Sequence, residues 1–247
     1  MHGIIKYSGV MFTLLSTLSS ETLMAAGQQC FTLKNGHASF QLGGFWANPG
    51  NDQNINIKGL VGNHYSVRLH NSSKLITGLY YYLDGFHHEK FELTYGMNAF
   101  YLGPNSVSGN ITQEQLFTNL SYRYKIQHIP LYLASKAMLK TNNERYNLTL
   151  DAGIGPNFIR TSQYSETPLN VYTRPDNAFS SNNNVTFSAT AGVGLRLNRI
   201  FGNIPLECGY RFFYLGQGQL ASNNNQMINT LQTGNNYANA LAFNVTV

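Results

Sequence analysis

Short segments in which apolar and polar residues alternate recur along this chain, separated by clusters of Gly, Asn, Pro and Asp, and nothing longer than a turn has helical spacing. They fall at about residues 38–47, 74–84, 90–103, 129–140 with an extension back to 116, 146–161, 184–198, 205–217 and 236–247. In "KFELTYGMNAFYL" one face carries Phe91, Leu93, Tyr95, Met97, Ala99 and Tyr101, and the other Glu92, Thr94, Gly96, Asn98 and Phe100. "VTFSATAGVGLRLN" repeats the arrangement, with Val185, Phe187, Val193 and Leu195 opposite Ser188, Thr190, Gly192, Gly194 and Arg196. Gly43, Gly78, Gly96, Gly153, Gly155, Gly192, Gly194 and Gly209 all lie on the polar faces.

A β-sandwich would turn bulky residues inward and charges outward. Small residues set among large ones on a polar inner face suit a narrow lumen with lipid outside. The pattern therefore predicts an all-β fold, an eight-stranded antiparallel up-and-down transmembrane β-barrel. The connections at 85–89, 141–145 and 199–204 are short, whereas those near 48–73, 104–115, 162–183 and 218–235 are long and rich in asparagine. That alternation places the chain ends and short turns on the periplasmic side and the long loops outside the cell. "VSGNITQEQLFTNLSYRYKIQHIP" is expected to carry the third and fourth strands above the membrane, with Pro130 at a bulge or interface that tolerates a missing amide.

Composition agrees. Of 247 residues 11% are charged, under half of the usual ~25%. Beyond the N-terminus no stretch approaches the ~20 apolar residues of a transmembrane helix, so a membrane protein of this sequence must cross with strands. Lys6, the apolar run "VMFTLLSTL" and the small residues Ala25 and Gly27 read as a secretory signal peptide over residues 1–27, leaving the barrel and its long extracellular loops in 28–247. Cys30 and Cys208 are too few for a disulfide framework.

Charge inside the strands needs a destination. In "PLECGYRFFYLG", Glu207 and Arg211 share parity with Gly209, Phe213 and Leu215 and point into the lumen, while Leu206, Cys208, Tyr210, Phe212 and Tyr214 face lipid. Glu92, Lys136, Asp151 and Arg196 lie on the same inner face. Three acids and three bases allow complete pairing, the condition for keeping charge in a poorly hydrated interior. These six residues are expected to form a structural charge network, not a catalytic or metal site. Phe45, Tyr80, Tyr82, Phe100 and Phe213 point the same way and should plug the lumen. The loops and strand tips bear Lys58, Arg68, Lys74, Arg123, Lys125, Arg160 and Arg174 against Asp52, Glu114, Glu166 and Asp176. This surplus suits lipopolysaccharide phosphates or anionic host surfaces, and equally plain solubility.

"AGIGPNF", "SATAGVGLRLN", "PLECGYRFFYLGQG" and the closing "NALAFNVTV" resemble the small outer-membrane β-barrel proteins of Gram-negative bacteria, the opacity-antigen and OmpA-like transmembrane-domain group. The resemblance implies a bacterial outer-membrane location and insertion by the barrel-assembly machinery. It also implies a monomer in contact with outer-membrane lipid and lipopolysaccharide, acting in envelope integrity or surface interaction with a host or surface ligand. No cofactor, metal or nucleic acid is expected. The two AGxG segments neither complete a dinucleotide fingerprint nor open a helix, and His87, His88 and Glu89 have no distant third ligand. A non-enzymatic protein is the expectation. Two alternatives stay open: a narrow passive channel for small solutes, and a lipid A-modifying enzyme, for which His37 and Ser39 of "HAS" offer same-face spacing.

Overall fold

The computed structural model describes residues 36–68, 73–143, 145–201 and 204–246; the segment expected to be a signal peptide, and Cys30, lie outside them. Eight long strands form the wall: β1 (Gly36–Ala47), β4 (Ser73–His87), β5 (Phe91–Gln113), β6 (Phe117–Lys140), β7 (Tyr146–Pro168), β9 (Asn182–Phe201), β10 (Ile204–Gln219) and β12 (Gln232–Thr246). Each pairs antiparallel with the next, and β12 returns to β1, so the sheet closes on itself. Four short strands lie in the external connections: β2 (Gln53–Ile55), β3 (Asn63–Arg68), β8 (Phe179–Ser180) and β11 (Ala221–Ser222).

Closure satisfies every edge amide that an open sheet would leave in lipid, where an unpaired backbone group costs several kcal/mol. The alternation works as expected. Along β7, Thr149, Asp151, Asn157, Ile159 and Thr161 are buried, while Leu148, Leu150, Ile154 and Phe158 between them are exposed. The exposed residues of all eight strands form the apolar band that meets lipid, and Cys208, on this outward parity, is a free thiol.

The strands are longer than fixed parity predicts. β5 and β6 run 23 and 24 residues, so at about 3.3 Å per residue they far exceed the ~30 Å hydrocarbon layer. The stretch 107–130 extends β5 and β6 as expected, residues 162–168, expected as loop, are strand, and the β5–β6 connection is a tight turn in which Glu114 and Gln115 adopt φ of 49° and 57°. The reason is two parity breaks. The β5 register shifts between Leu102 and Asn105, around Gly103 and Pro104. In β7, Gln163 has a φ of 54° and the ladder with β6 shifts between Arg123 and Lys125. An extra residue at a bulge reverses which side chains face inward. Pro130 pairs with Asn157 of β7, while the β5–β6 ladder steps from Ala99–Leu131 to Leu102–His128.

Above the membrane the wall continues into a folded head. β3 pairs with the upper part of β5, β8 pairs with β11, and the connections are tied by backbone hydrogen bonds such as Lys58 N to Gln226 O (2.9 Å), Ile228 N to Asn56 O (2.8 Å) and Leu169 N to Asn119 O (2.8 Å). Asparagines that read as solvent-facing loop residues serve this framework. Asn229 accepts from Asn56 N at 2.7 Å and donates to Asn54 O at 2.8 Å. Two separate apolar clusters result, one in the lumen around Phe45, Tyr80, Phe100, Tyr132 and Phe213, the other in the head around Tyr65, Tyr122, Tyr124, Ile126 and Phe179.

Candidate functional site

From the periplasmic mouth upward, the lumen passes from charges to aromatics to neutral polar groups. Arg211 of β10 reaches Asp151 of β7 at 2.5 Å, with side chains only 6% and 5% exposed. Lys136 of β6 pairs with Glu207 of β10, whose other oxygen accepts from Thr149 Oγ1 at 3.0 Å. Two inward glycines make room for these pairs. A methyl group on Gly192 would lie 2.8 Å from Asp151 Oδ2, and one on Gly194 would lie 2.7 Å from Thr149 Oγ1 and 3.1 Å from Glu207 Oε1. In so dry a space each charge is tolerated because its partner is already in place.

Glu92 and Arg196 belong to the mouth instead. Glu92 meets Lys140 at 2.7 Å and His87 at 3.6 Å. Arg196 sits opposite Glu207 in the β9–β10 ladder, but Glu207 is held by Lys136; the Arg196 guanidinium instead rests against Met138 Sδ at 3.7 Å, and no carboxylate lies within 4 Å of it among the described residues. Lys140 was not among the residues singled out by sequence, and His87 was weighed there only as a metal ligand; both stand where a strand ends and parity loses its meaning. The mouth is a vestibule of about 230 Å³ lined by His37, Asp84, Glu92, Lys136, Arg196 and Thr246 among others. His37 and Ser39 point into it and bond elsewhere: His37 Nε2 to Asp84 at 3.0 Å, Ser39 Oγ to Thr246 Oγ1 at 3.0 Å.

Above the ion pairs the lumen is closed by rings. Phe100 stands edge-on to Tyr80 (centroids 5.3 Å apart), Tyr132 (5.9 Å) and Phe213 (5.1 Å). The Arg211 guanidinium carbon lies 5.2 Å from the Phe100 centroid and 5.6 Å from that of Tyr80, so one side chain joins the charge layer to the ring layer. Tyr80 donates to Gln41, and Tyr132 and Ser188 share a hydrogen bond of 2.6 Å. Higher still, Asn157 bonds His128 Nδ1 at 2.9 Å. Phe45, Tyr80, Phe100, Tyr132 and Phe213 are all buried together at the ring level of the lumen.

The head holds a charge that sequence placed on the surface. Glu166 is buried: one oxygen accepts from the amides of Asp176 (2.9 Å) and Asn177 (3.0 Å), the other from Ala178 N (3.1 Å) and the Tyr164 hydroxyl (2.6 Å). Burial pushes the Tyr65 and Tyr164 phenols well above their ordinary range, so both stay neutral donors. Glu114 and Asp52 are likewise spent internally, accepting from Val61 N at 2.9 Å and Val67 N at 2.6 Å.

The fold is that of a Gram-negative outer-membrane β-barrel. The outer membrane protease OmpT of Escherichia coli is similar over 89% of this chain and 98% of its own, at 10% identity and a TM-score of 0.50. OprG of Pseudomonas aeruginosa (86% and 97% covered, 11% identity, TM-score 0.46) and Neisserial surface protein A (85% and 96%, 11%, 0.40) are further similar structures. No protein-family model matches the sequence, and no curated protein does. At such identities the likeness speaks for fold and not for activity. The apolar band around a closed wall, together with this fold, makes the chain an outer-membrane β-barrel protein.

Proposed function

We propose that this outer-membrane barrel is a non-enzymatic surface protein with a sealed lumen, acting in envelope integrity or surface interaction through its external head. The observation that carries the reading is the ring layer of Tyr80, Phe100, Tyr132 and Phe213 lying on the Arg211–Asp151 pair. A barrel filled this way offers a partner its rim and loops, not its interior. The head supports the same reading from the other end. Its own apolar core fixes the loops, yet their tips leave large side chains in solvent: Leu60, Val61, Leu116, Phe117, Ile228 and, at 91% and 94% exposure, Val171 and Tyr172. Exposed apolar groups on a rigid support are what a protein or surface partner would cover.

Planar-bilayer recording of the monomeric protein tests the seal. Closed traces, or brief and small openings, are expected, and a stable large conductance would transfer the function to the lumen. Replacing Phe117 and Tyr172 by serine is expected to weaken attachment of cells displaying the protein while leaving its unfolding transition unchanged.

A further inference from the structure

The vestibule at the periplasmic mouth holds a cation that the lumen network leaves over. Arg196 lines this cavity, yet no carboxylate lies within 4 Å of its guanidinium among the described residues, and its Nε has no hydrogen-bond acceptor. Nη1 meets only the thioether of Met138, a weak acceptor, at 3.7 Å. The other ions around the cavity are already engaged. Glu207 holds Lys136, Lys140 and His87 hold Glu92, and His37 holds Asp84. A guanidinium carries five N–H donors in a rigid fork and cannot shed its charge, so a part-buried one without an anion is a group waiting for its acceptor.

A second unmet donor belongs to the same cavity. Tyr82 lines the vestibule and is only 4% exposed, and its hydroxyl has no hydrogen-bond partner; Asn98 is near but closes no bond on it. Buried polar groups in native proteins are almost all paired. Two unmet donors on the walls of one cavity therefore point to an acceptor carried by a ligand.

Size and charge narrow its class. At about 230 Å³ the vestibule is smaller than the ~300–1,000 Å³ of pockets that enclose a whole small-molecule ligand, so it suits the end of something that trails into the periplasm. Asp84 and Glu92 stand on the same walls, and they repel a doubly charged phosphate twice as strongly as a singly charged carboxylate. Their oxygens, with the Thr246 hydroxyl, are also acceptors for the amides of a peptide backbone.

We propose that the vestibule captures the C-terminal carboxylate of an extended peptide chain in the periplasm. The carboxylate seats on the Arg196 fork and accepts from the Tyr82 hydroxyl, the last side chain rests against Met138, and the chain leaves past His37 and Thr246 at the rim. Capture of a chain end in this way ties the inner rim of the barrel to a periplasmic partner while the head faces outward. The inference uses the outer-membrane placement and is independent of what the head binds.

The test is isothermal titration of the full-length folded protein in neutral detergent with N-acetyl-trialanine as the free acid, with its C-terminal amide, and with acetate and inorganic phosphate as separate probes. The acid is expected to bind at least about tenfold more tightly than the amide, because only the acid offers charge-assisted bonds to the guanidinium. It should also shift the nuclear magnetic resonance of the Arg196 Nε–H, which the amide leaves in place. Arg196→Gln is expected to bring the acid down to the amide's affinity, Tyr82→Phe to weaken it several-fold, and Arg174→Gln, in an external connection, to leave it unchanged. The comparison of acid with amide uses the wild-type protein alone, so it decides even where a variant fails to fold. Equal binding of acid and amide, displacement of the peptide by acetate or phosphate at equal concentration, or undiminished binding in Arg196→Gln would each overturn the site. These readouts involve neither conduction nor attachment through the head, so failure here is separable from failure of the surface-protein reading.

Discussion

Asp151 in the lumen and Glu166 in the head are both buried carboxylates, yet they are compensated differently. Asp151 faces a full positive charge on another strand, Arg211, whereas Glu166 is ringed by three backbone amides of the loop it anchors and one tyrosine hydroxyl. A salt bridge between strands couples distant parts of the wall, so its loss exposes an uncompensated ion and weakens the whole barrel. Amides gathered around a carboxylate organise only the segment that supplies them. The lumen arrangement is global and the head arrangement local, and the two should respond differently to the removal of one group.

The largest effect is expected from Arg211→Ala, which strands Asp151 and removes the cation resting on Phe100. The cost is ~3–5 kcal/mol, read as a lowered urea midpoint in detergent or lipid, with part of it recovered in the double variant Arg211→Ala, Asp151→Asn. Full retention of the midpoint would show the pair to be solvated. Next comes Leu133→Arg. Leu133 is exposed on the lipid face opposite Met97 and Ile154, and a charge there costs ~2–4 kcal/mol near the midplane. The yield of heat-modifiable folded protein should fall sharply, and unchanged yield would break the assignment of that face to lipid.

Glu166→Ala should sharpen the contrast. It leaves three amides without an acceptor, a local cost of ~1–3 kcal/mol. Hydrogen exchange at Asp176, Asn177 and Ala178 should quicken while the urea transition of the barrel stays in place; a shift of the whole transition would show that head and wall unfold as one unit. Smallest of all, Lys58→Ala in the first external connection should leave both readouts unchanged.

The same contrast explains what was legible in the sequence. Within the membrane, strict alternation placed Asp151, Glu207 and Arg211 on the inner face, because a strand crossing lipid with one side apolar cannot change phase. Which acid met which base was not legible, since partners such as Lys136 and Glu207 are brought together by the stagger between strands and stand 71 positions apart. Beyond the lipid the constraint relaxes. Gln163 takes a left-handed conformation, the parity of β7 reverses, and Glu166, which counting by twos would put outside, turns in beside Tyr164. A lone non-glycine bulge leaves no compositional mark, so nothing near Gln163 announced it. The strand extensions had some signal in the polar alternation of residues 116–129, and the Glu166 cage had none.

The seam between β1 and β12 sets the order in which this molecule can be made. Ser39 bonds Thr246, 207 positions further along the chain, so the first strand stays without one neighbour until the last has arrived. Contacts of such sequence separation are slow to form, because loop closure precedes any gain from pairing. An incomplete chain presents two bare edges in place of none, and each is a template for joining another chain. β12 therefore has to arrive, and the chain be kept apart from its siblings, before the wall can close: closure in this architecture is a single late event, and a chain cut before β12 is an aggregation hazard instead of a smaller barrel.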